Sequence, residues 1–286
     1  MKTRTNRRRF LQSTGLVLTG TALPGLLSGT VAAAPAPADR IRKALGWAMI
    51  REDLSTEDKF RMLKDIGFEG IEANTTAIKD PKEFIQASEK TGIPIHGLSG
   101  AGADLVSSLE LAAAVGADTL LYVVRADPKT PLLKQYRESQ ETIRAAVPMA
   151  EKKRVRILVE NVWATFLIEP LGMARYIDEI DSPWVQAYFD VGNVMRWGWP
   201  QHWIEVLGKR IGKIHIKEYS LKIAMKEGMS KGFNVPIGEG DIDWAAVRQG
   251  LKDVGFCNWA TAEVSGGDRH RLAEIAQQMN KVLELA

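Results

Sequence analysis

Short apolar runs alternate with amphipathic segments along most of the chain. The apolar runs predict buried strands, and the segments between them carry apolar residues at helical spacing. The predicted strands are 45–49, 68–73, 93–98, 119–124, 155–160, 185–189, 211–217 and 259–263. The predicted helices are 56–66, 81–90, 104–115, 132–152, 170–180, 201–207, 243–254 and 269–285. Because a helix follows each strand, we expect parallel strands covered on both faces.

Eight strand–helix units predict a single (β/α)8 barrel, an α/β fold. An open doubly wound sheet is the alternative, but no G-x-G-x-x-G follows the first strand, so the usual nucleotide site of that fold is missing. An internal repeat favours the barrel, since 64–68 (KDIGF) recurs as 252–256 (KDVGF). In both copies the glycine is predicted to end a helix and the phenylalanine to open a strand. Residues 218–240 are predicted to form a long loop over the barrel mouth.

The first 38 residues differ in composition from the rest. Five positive charges precede an apolar stretch over 16–31 that is rich in Gly, Thr, Ala and Leu, and small-residue cleavage sites follow it. This layout is typical of an export signal. Residues 7–11 (RRRFL) also resemble the twin-arginine export motif.

A membrane anchor is the alternative for this segment. Pro24 and several Gly and Thr interrupt the apolar stretch, which makes it a poor bilayer span. We therefore expect a twin-arginine signal over 1–38 and a barrel domain over 39–286. The expected location is periplasmic or otherwise extracytoplasmic, with no stable membrane insertion after the signal is cleaved.

Charge and cysteine content narrow the function classes. Residues 1–38 hold five positive charges and no negative ones, so the formal charge of +3 for the whole chain falls to −2, with 33 Lys+Arg against 35 Asp+Glu. A nucleic-acid binder normally carries a clear basic excess, so no nucleic-acid partner is expected. A single cysteine, Cys257, excludes an intrachain disulfide framework and a Cys-based zinc cluster.

Metal-ligand side chains stand at the ends of four successive predicted strands. They are Glu160, Asp190, His215 and Glu263, on strands five to eight. Because active sites of such barrels lie at the C-terminal rim, we expect these side chains to converge there. Rim salt bridging is the alternative. Three carboxylates and one imidazole suit Mn²⁺ or Mg²⁺, and Co²⁺ or Zn²⁺ can compete.

Such a site has a specific chemical use. The metal would leave positions open for two substrate oxygens, a carbonyl and a neighbouring hydroxyl. Glutamates on strands five and eight can lie on opposite sides of a bound substrate. That placement suits removal of a proton from one face of a carbon and return of a proton to the other face.

Several segments carry a resemblance to a known family. They are 158–161 (LVEN), 189–193 (FDVGN), 215–218 (HIKE) and 238–244 (GEGDIDW), and 67–72 (GFEGIE) matches the family's usual second strand. Through them, residues 41–285 resemble the xylose isomerase-like TIM barrels. This group of sugar and sugar phosphate isomerases and epimerases includes ketose 3-epimerases and hydroxypyruvate isomerases.

The resemblance implies roles for the same four residues. Glu160, Asp190, His215 and Glu263 would hold one divalent metal ion, with Mn²⁺ favoured, and Glu160 and Glu263 would double as the catalytic acid/base pair. The implied activity is isomerisation or epimerisation of a sugar or keto-compound by glutamate-mediated proton transfer through a metal-bound enediolate. The implied partner is a small carbohydrate substrate, and a homo-oligomer is left open.

The chain departs from ketose 3-epimerases at substrate positions. Asn193 replaces their histidine, Lys213 replaces the first histidine of their His-x-His, and 162–166 lacks an obvious acidic contact. We therefore expect a shared metal site with a different sugar. Because no Gly-rich phosphate cradle is evident and an exported enzyme rarely meets sugar phosphates, a non-phosphorylated substrate is favoured.

Four residues are predicted to contact the substrate. They are His96, Asn193, Lys217 and Trp163. The alternatives are a buried structural histidine for His96, a rim lysine that extends its amine to water for Lys217, and ordinary packing for Trp163.

Other functions remain as alternatives. A 3-keto-glycoside lyase would begin with the same proton abstraction and continue by β-elimination, and sequence does not separate it from an isomerase. A nuclease on this fold would need a multi-zinc cluster, for which four histidines are few. A non-catalytic sugar-binding barrel would not need the four ligand residues.

Overall fold

Eight parallel strands form a closed barrel in chain order, with β1 also paired to β8. The computed structural model describes residues 40–285 apart from 103 and 164. The strands are β1 Arg42–Gly46, β2 Gly70–Asn74, β3 Ile95–Ser99, β4 Thr119–Tyr122, β5 Arg156–Glu160, β6 Val185–Asp190, β7 Ile211–Ile216 and β8 Trp259–Ala262. The predicted (β/α)8 barrel is confirmed. The export signal predicted over 1–38 lies outside the described residues.

Helices surround this barrel. In the described part of the chain they are α1 Thr56–Ile66, α2 Pro81–Thr91, α3 Leu105–Ala114, α4 Leu132–Lys153, α5 Pro170–Ile180, α6 Pro200–Leu207, α7 Leu221–Glu227, α8 Trp244–Asp253 and α9 Arg269–Leu283. None of these combines the length and apolarity that a bilayer crossing requires. Their apolar faces and the outer faces of the strands form one continuous core.

The repeated KDIGF and KDVGF segments have the same local geometry. Gly67 follows α1 with φ +95° and Gly255 follows α8 with φ +69°, a backbone region that glycine adopts without steric cost. Both phenylalanines, Phe68 and Phe256, are buried. They precede the next strand rather than opening it, because β2 begins at Gly70 and β8 at Trp259.

The first strand lies earlier than predicted. β1 covers Arg42–Gly46, and Trp47–Met49 forms a 3₁₀ turn instead of a strand. The prediction missed this because the strand opens with Arg42 and Lys43. In the structure the Lys43 side chain is buried on the outer face of β1, where Nζ donates a hydrogen bond to Asn280 Oδ1 at 2.7 Å.

The segment 218–240 is not the irregular loop that was predicted. It contains α7 and a 3₁₀ turn, Met229–Phe233. Ser220 caps α7 by accepting a hydrogen bond from the Ile223 amide, and Gly228 ends it with φ +112°. A helix of seven residues is too short for its hydrophobic periodicity to stand out in the sequence.

The interior of the barrel is polar towards the C-terminal rim. Lys213, His96, Tyr188 and Thr261 are all buried and bonded to other protein groups. Below them, Trp259 stacks on the His96 ring. Gly70 makes room for this tryptophan, since a Cβ at residue 70 would lie 2.6 Å from its ring. This layer is the floor of the site described next.

Candidate metal centre and active site

The four predicted ligand residues converge at the C-terminal rim. Glu160 and Asp190 are the last residues of β5 and β6, His215 lies one residue before the end of β7, and Glu263 directly follows β8. One ligand atom of each residue lies within 4.8 Å of those of the other three. Parallel strands in register bring their ends together, which is why residues so far apart in sequence meet.

His215 is at the centre of the group and directs Nδ1 towards the carboxylates. This nitrogen lies 3.0 Å from Glu160 Oε1, 3.0 Å from Glu263 Oε2 and 3.9 Å from Asp190 Oδ2. Three carboxylates and one imidazole nitrogen facing a common point form a donor set that fits a hard or borderline divalent cation.

Burial differs among the ligand residues. Glu160, Asp190 and His215 are buried, whereas 46% of the Glu263 side chain is exposed. The cluster is therefore open to solvent on the side of β8.

Lys217 extends from the end of β7 into the same cluster. Its Nζ lies 2.8 Å from Asp190 Oδ2 and 2.9 Å from Glu263 Oε2. Burial lowers the pKa of Lys217, but the negative charges of Asp190 and Glu263 outweigh burial and raise it above its usual range. Gly192 leaves space for this side chain, since a Cβ at residue 192 would lie 2.6 Å from Lys217 Cβ.

The two glutamates are in different electrostatic environments. Burial raises the pKa of Glu160 to about 7, against the opposing effect of its hydrogen bond with His215. Partial burial also raises the pKa of Glu263, but the positive charges of His215 and Lys217 outweigh it and hold that pKa well below its usual range. Two carboxyl groups whose pKa values are pushed apart can take different roles in proton transfer.

Asn161 and Asn193 fix the loop that follows β6. Asn161 Oδ1 accepts a hydrogen bond from the Asp190 amide at 2.8 Å, and the Asn193 amide donates to Asp190 Oδ1 at 2.8 Å. The Asn193 side chain donates to the Asn161 carbonyl at 3.0 Å and accepts a 3.4 Å contact from Lys217. Asn193 thus lies beside the cluster, and its predicted substrate contact stays a prediction.

Trp163 forms part of an aromatic wall next to the cluster. Its Nε1 donates a hydrogen bond to the Asn193 carbonyl at 2.7 Å, and its ring packs against Phe233. The Phe233 ring in turn lies 5.7 Å from Lys217 Nζ. A groove of about 600 Å³ between the loops after β4 and β5 is also lined by Trp163, but by none of the four ligand residues. The substrate contact predicted for Trp163 stays a prediction.

His96 lies below the cluster rather than beside it. The ring is buried, with Nδ1 3.1 Å from Lys213 Nζ and Nε2 3.1 Å from Thr261 Oγ1. Burial, reinforced by the charge of Lys213, holds the pKa of His96 well below its usual value. Protein groups contact both ring nitrogens, which favours the alternative of a structural histidine, and the predicted substrate contact of His96 stays a prediction.

Two residues that contact His215 were not among the predicted site residues. Glu72, on β2, places Oε1 3.2 Å from His215 Nε2, and the Tyr188 ring packs on the His215 ring with centroids 4.2 Å apart. An acidic residue within an apolar strand was the available signal for Glu72. Its partner could not be inferred, because β2 and β7 do not pair in the barrel.

Comparisons with known proteins agree with this architecture. L-ribulose-5-phosphate 3-epimerase UlaE of Salmonella paratyphi A is 24% identical over 219 residues, which is 73% of this chain and 70% of that protein. The crystal structure of 3-keto-D-glucoside 4-epimerase YcjR from E. coli has a TM-score of 0.70 at 17% identity and covers 85% of this chain and 99% of its own.

A third relative carries a metal. The IOLI protein, whose structure contains a bound zinc atom, has a TM-score of 0.70 at 16% identity and covers 85% of this chain and 98% of its own. The family model described as xylose isomerase-like TIM barrel matches residues 60–284. This match includes β2 to β8 and all four predicted ligand residues, so the chain belongs to the xylose isomerase-like TIM barrel family.

Proposed function

We propose that this protein is a metal-dependent sugar isomerase or epimerase that acts on a non-phosphorylated sugar or keto-compound. The observation that carries the proposal is the placement of two glutamates around one donor nitrogen, with Glu160 and Glu263 each 3.0 Å from His215 Nδ1. β6 and β7 separate their strands in the barrel, so the two carboxylates reach the cluster from different directions.

The metal site consists of Glu160, Asp190, His215 and Glu263. Mn²⁺ is the favoured ion, and Mg²⁺, Co²⁺ or Zn²⁺ suit the same donor set. When bound, the ion supplies Lewis acidity at a substrate carbonyl oxygen and orients a neighbouring hydroxyl. The zinc atom in the IOLI structure supports a metal ion in a protein of this fold.

The glutamates perform the proton transfers. One carboxylate accepts a proton from the carbon beside the carbonyl, and the other carboxyl group returns a proton to the opposite face of that carbon, which gives the epimer. Return of a proton to the former carbonyl carbon would give the isomer instead. The first glutamate ends neutral and the second ends charged, so the pair must exchange protons with solvent before the next turnover. The exposure of Glu263 permits this exchange.

Lys217 positions charge beside this pair. Its ammonium lies within 2.9 Å of Glu263 and within 2.8 Å of Asp190, so it favours the ionised form of both carboxylates. It can also donate a hydrogen bond to a substrate oxygen that gains negative charge as the proton leaves.

The comparisons support the reaction class more than the substrate. UlaE is named for a sugar phosphate and YcjR for a 3-keto-glucoside, and both names describe epimerases. We favour a non-phosphorylated substrate because the composition of residues 1–38 predicts export. A 3-keto-glycoside is included as a test substrate because β-elimination would start with the same proton abstraction.

Proton NMR in D₂O tests the proposal. Protein loaded with Mn²⁺ is incubated with free ketoses, L-ribulose 5-phosphate and a 3-keto-glucoside in parallel, and spectra are recorded after protein and metal are removed. We expect deuterium at the carbon beside the carbonyl of a free sugar, together with its epimer or aldose. Release of the aglycone with the ketoses untouched would establish a lyase instead, and turnover of the phosphate ester alone would overturn the substrate assignment.

A further inference from the structure

We propose that Glu72 is the positioning residue of the metal centre. It accepts the Nε2–H hydrogen bond of His215 and thereby fixes the ring with Nδ1 directed at the other ligands. The inference rests on the proposed metal site and extends it to a residue outside the ligand set. Glu72 is on the second strand, whereas all four ligand residues come from strands five to eight.

The contact between these side chains is buried and direct. Glu72 Oε1 lies 3.2 Å from His215 Nε2, and the side chains are 4% and 2% exposed. Glu72 Oε2 has no hydrogen-bond partner among the described residues, so the hydrogen bond of this carboxylate with His215 is made by Oε1. The Tyr188 hydroxyl is a second neighbour of the carboxylate, since burial first and then the charge of Glu72 raise the pKa of Tyr188. Burial of a charged carboxylate in a barrel interior costs free energy, so the group needs a partner that compensates for the lost hydration.

The chemistry of the two groups fixes the direction of the hydrogen bond. A neutral imidazole carries one N–H, and an ionised carboxylate only accepts. Glu72 accepts the proton on Nε2, so when a metal ion takes the place of the proton that the other carboxylates hold on Nδ1, the lone pair of the ring is on Nδ1. That is the nitrogen 3.0 Å from both Glu160 and Glu263. Metal-bound histidines in general donate their second ring N–H to such an acceptor.

A second contact holds the face of the same ring. Tyr188 packs against the His215 ring, and its hydroxyl donates to Thr261 Oγ1 at 3.0 Å. Thr261 Oγ1 also lies 3.1 Å from His96 Nε2, so Tyr188 is anchored in the polar floor of the barrel. A half-turn of the His215 ring would replace both nitrogens by carbon atoms at their contacts. Glu72 therefore selects the ring orientation, and Tyr188 limits its tilt.

The variant Glu72→Gln tests the role of the carboxylate with little change of shape. The amide can present N–H groups to Nε2, which favours the tautomer protonated on Nδ1 and competes with metal binding. We expect the Kd for Mn²⁺, measured by calorimetry, to rise by about 10- to 100-fold. Glu69→Gln is the matched control, because Glu69 is three residues earlier and pairs with Arg40 on the outside of the barrel. Its Kd should stay within about twofold of wild type.

Nitrogen-15 NMR of the histidine rings gives a readout that does not depend on turnover. The chain has four histidines, and Zn²⁺ is diamagnetic, so the His215 ring can be observed in the zinc-loaded protein. In wild type we expect Nδ1 bound to metal and a proton on Nε2, and in Glu72→Gln a loss of that single form. A purely structural role for Glu72 would lower the unfolding midpoint but leave the tautomer unchanged.

The outcomes separate this inference from the proposed function. Coordination through Nε2 in wild type, or an unchanged Kd and tautomer in Glu72→Gln, overturns the role of Glu72 while the metal site stands. A wild-type chain that binds neither Mn²⁺ nor Zn²⁺ overturns the proposed function and this inference with it. The wild-type tautomer can be measured even if Glu72→Gln fails to fold.

Discussion

At the scale of single residues, Glu160 and Glu263 have the same carboxyl group but pKa values shifted in opposite directions. Glu160 is buried against His215, and burial raises its pKa to about 7. Glu263 is partly exposed, and the charges of His215 and Lys217 hold its pKa low in spite of its partial burial. The difference comes from neighbours that the strand order supplies, since both residues are glutamates at strand ends.

Glu263→Gln should keep the fold and lose turnover. The amide has the same shape and its site is partly exposed, so the unfolding free energy should change by no more than about 1 kcal/mol. Deuterium incorporation into the substrate should fall by at least about 100-fold, since the amide cannot transfer the proton. Glu274→Gln, a similarly exposed glutamate on α9, is the control. Near-normal activity of Glu263→Gln would remove this residue from the mechanism.

Lys213 is a fully buried cation below the metal centre. Its Nζ lies 2.6 Å from Asp118 Oδ1 and 2.6 Å from Thr119 Oγ1. Burial lowers the pKa of Lys213 to about 8, and the charge of Asp118 opposes this effect. Burial has the opposite effect on the acid and raises the pKa of Asp118. The positive charges of Lys213 and Arg156 outweigh burial, so the pKa of Asp118 is lowered overall.

Asp118→Asn should therefore destabilise the protein by about 3 kcal/mol at pH 7, because it leaves the buried ammonium without its counter-charge. A carboxylate whose pKa is lowered by folding contributes stability above its unfolded pKa, about 4, and loses it as the pH falls further. The difference in unfolding free energy between wild type and Asp118→Asn should thus become smaller below about pH 4. Urea unfolding at several pH values measures it.

Asp178→Asn supplies the comparison for that experiment. Asp178 pairs with Arg210 at 2.6 Å, but the Asp178 side chain is 54% exposed and that of Arg210 is 36% exposed. Loss of this ion pair should lower the free energy of unfolding by less than about 1 kcal/mol. Equal effects of the two substitutions would contradict the view that burial makes the Lys213 pair important.

At the scale of elements, the connection from β7 to α8 depends on one buried carboxylate. Glu218 Oε2 accepts hydrogen bonds from the Gly238 amide at 2.7 Å and from Trp244 Nε1 at 2.8 Å. Glu218 Oε1 accepts from the Tyr219 amide at 3.1 Å. Gly240 approaches closely, since a Cβ at residue 240 would lie 2.5 Å from that oxygen. Glu218 thus joins the start and end of the segment that contains α7.

Glu218→Gln should loosen this segment. The new NH₂ group faces N–H donors, so at least one hydrogen bond to a charged acceptor is lost, at about 3 kcal/mol. Hydrogen exchange should accelerate over 218–244 while the strands keep their protection. Glu239→Gln, an exposed neighbour in the same segment, should leave exchange unchanged. Uniform acceleration through the barrel would contradict a local anchoring role.

Sequence predicted the strands of the second half of the barrel more closely than the first strand. β5 to β8 lie within one residue of their predicted bounds, and α5 has the predicted bounds, 170–180. The start of β1 was missed because the strand opens with Arg42 and Lys43, whereas Lys213 in β7 has apolar residues on both sides. α7 was missed because its seven residues provide too few turns for a periodic signal.

Local sequence pattern also decided which residues of the site could be predicted. The four ligand residues were identified because each stands at the end of a recognisable strand. Glu72 was not, because its function depends on a contact across the barrel to β7, and local pattern carries no information about such pairs. Phe233 was missed together with the 3₁₀ turn that presents it.

At the scale of the whole molecule, the barrel of residues 40–285 forms its core from its own strands and helices. A chain of residues 39–286 should therefore be soluble and bind Mn²⁺ with the affinity of the full-length protein. Calorimetry with Mn²⁺ and analytical ultracentrifugation measure both properties. An insoluble product would indicate that the preceding segment has a structural role.

The proposed export route has a test of its own. Replacing Arg7 and Arg8 together by lysine keeps the positive charge and removes the twin-arginine pattern. We expect the wild-type chain in the periplasmic fraction of a bacterium with twin-arginine export, and the double variant in the cytoplasm. Export of both chains would exclude the twin-arginine route.

The pairing of β1 with β8 has a consequence during biosynthesis. Until β8 leaves the ribosome, the growing sheet has open edges at β1 and β7, and only three of the four ligand residues have been made. Glu263 arrives with the strand that joins these edges, so one event closes the barrel and completes the donor set. A metal ion held by all four residues could therefore bind only after the barrel has closed. Metal binding would distinguish complete molecules from nascent chains.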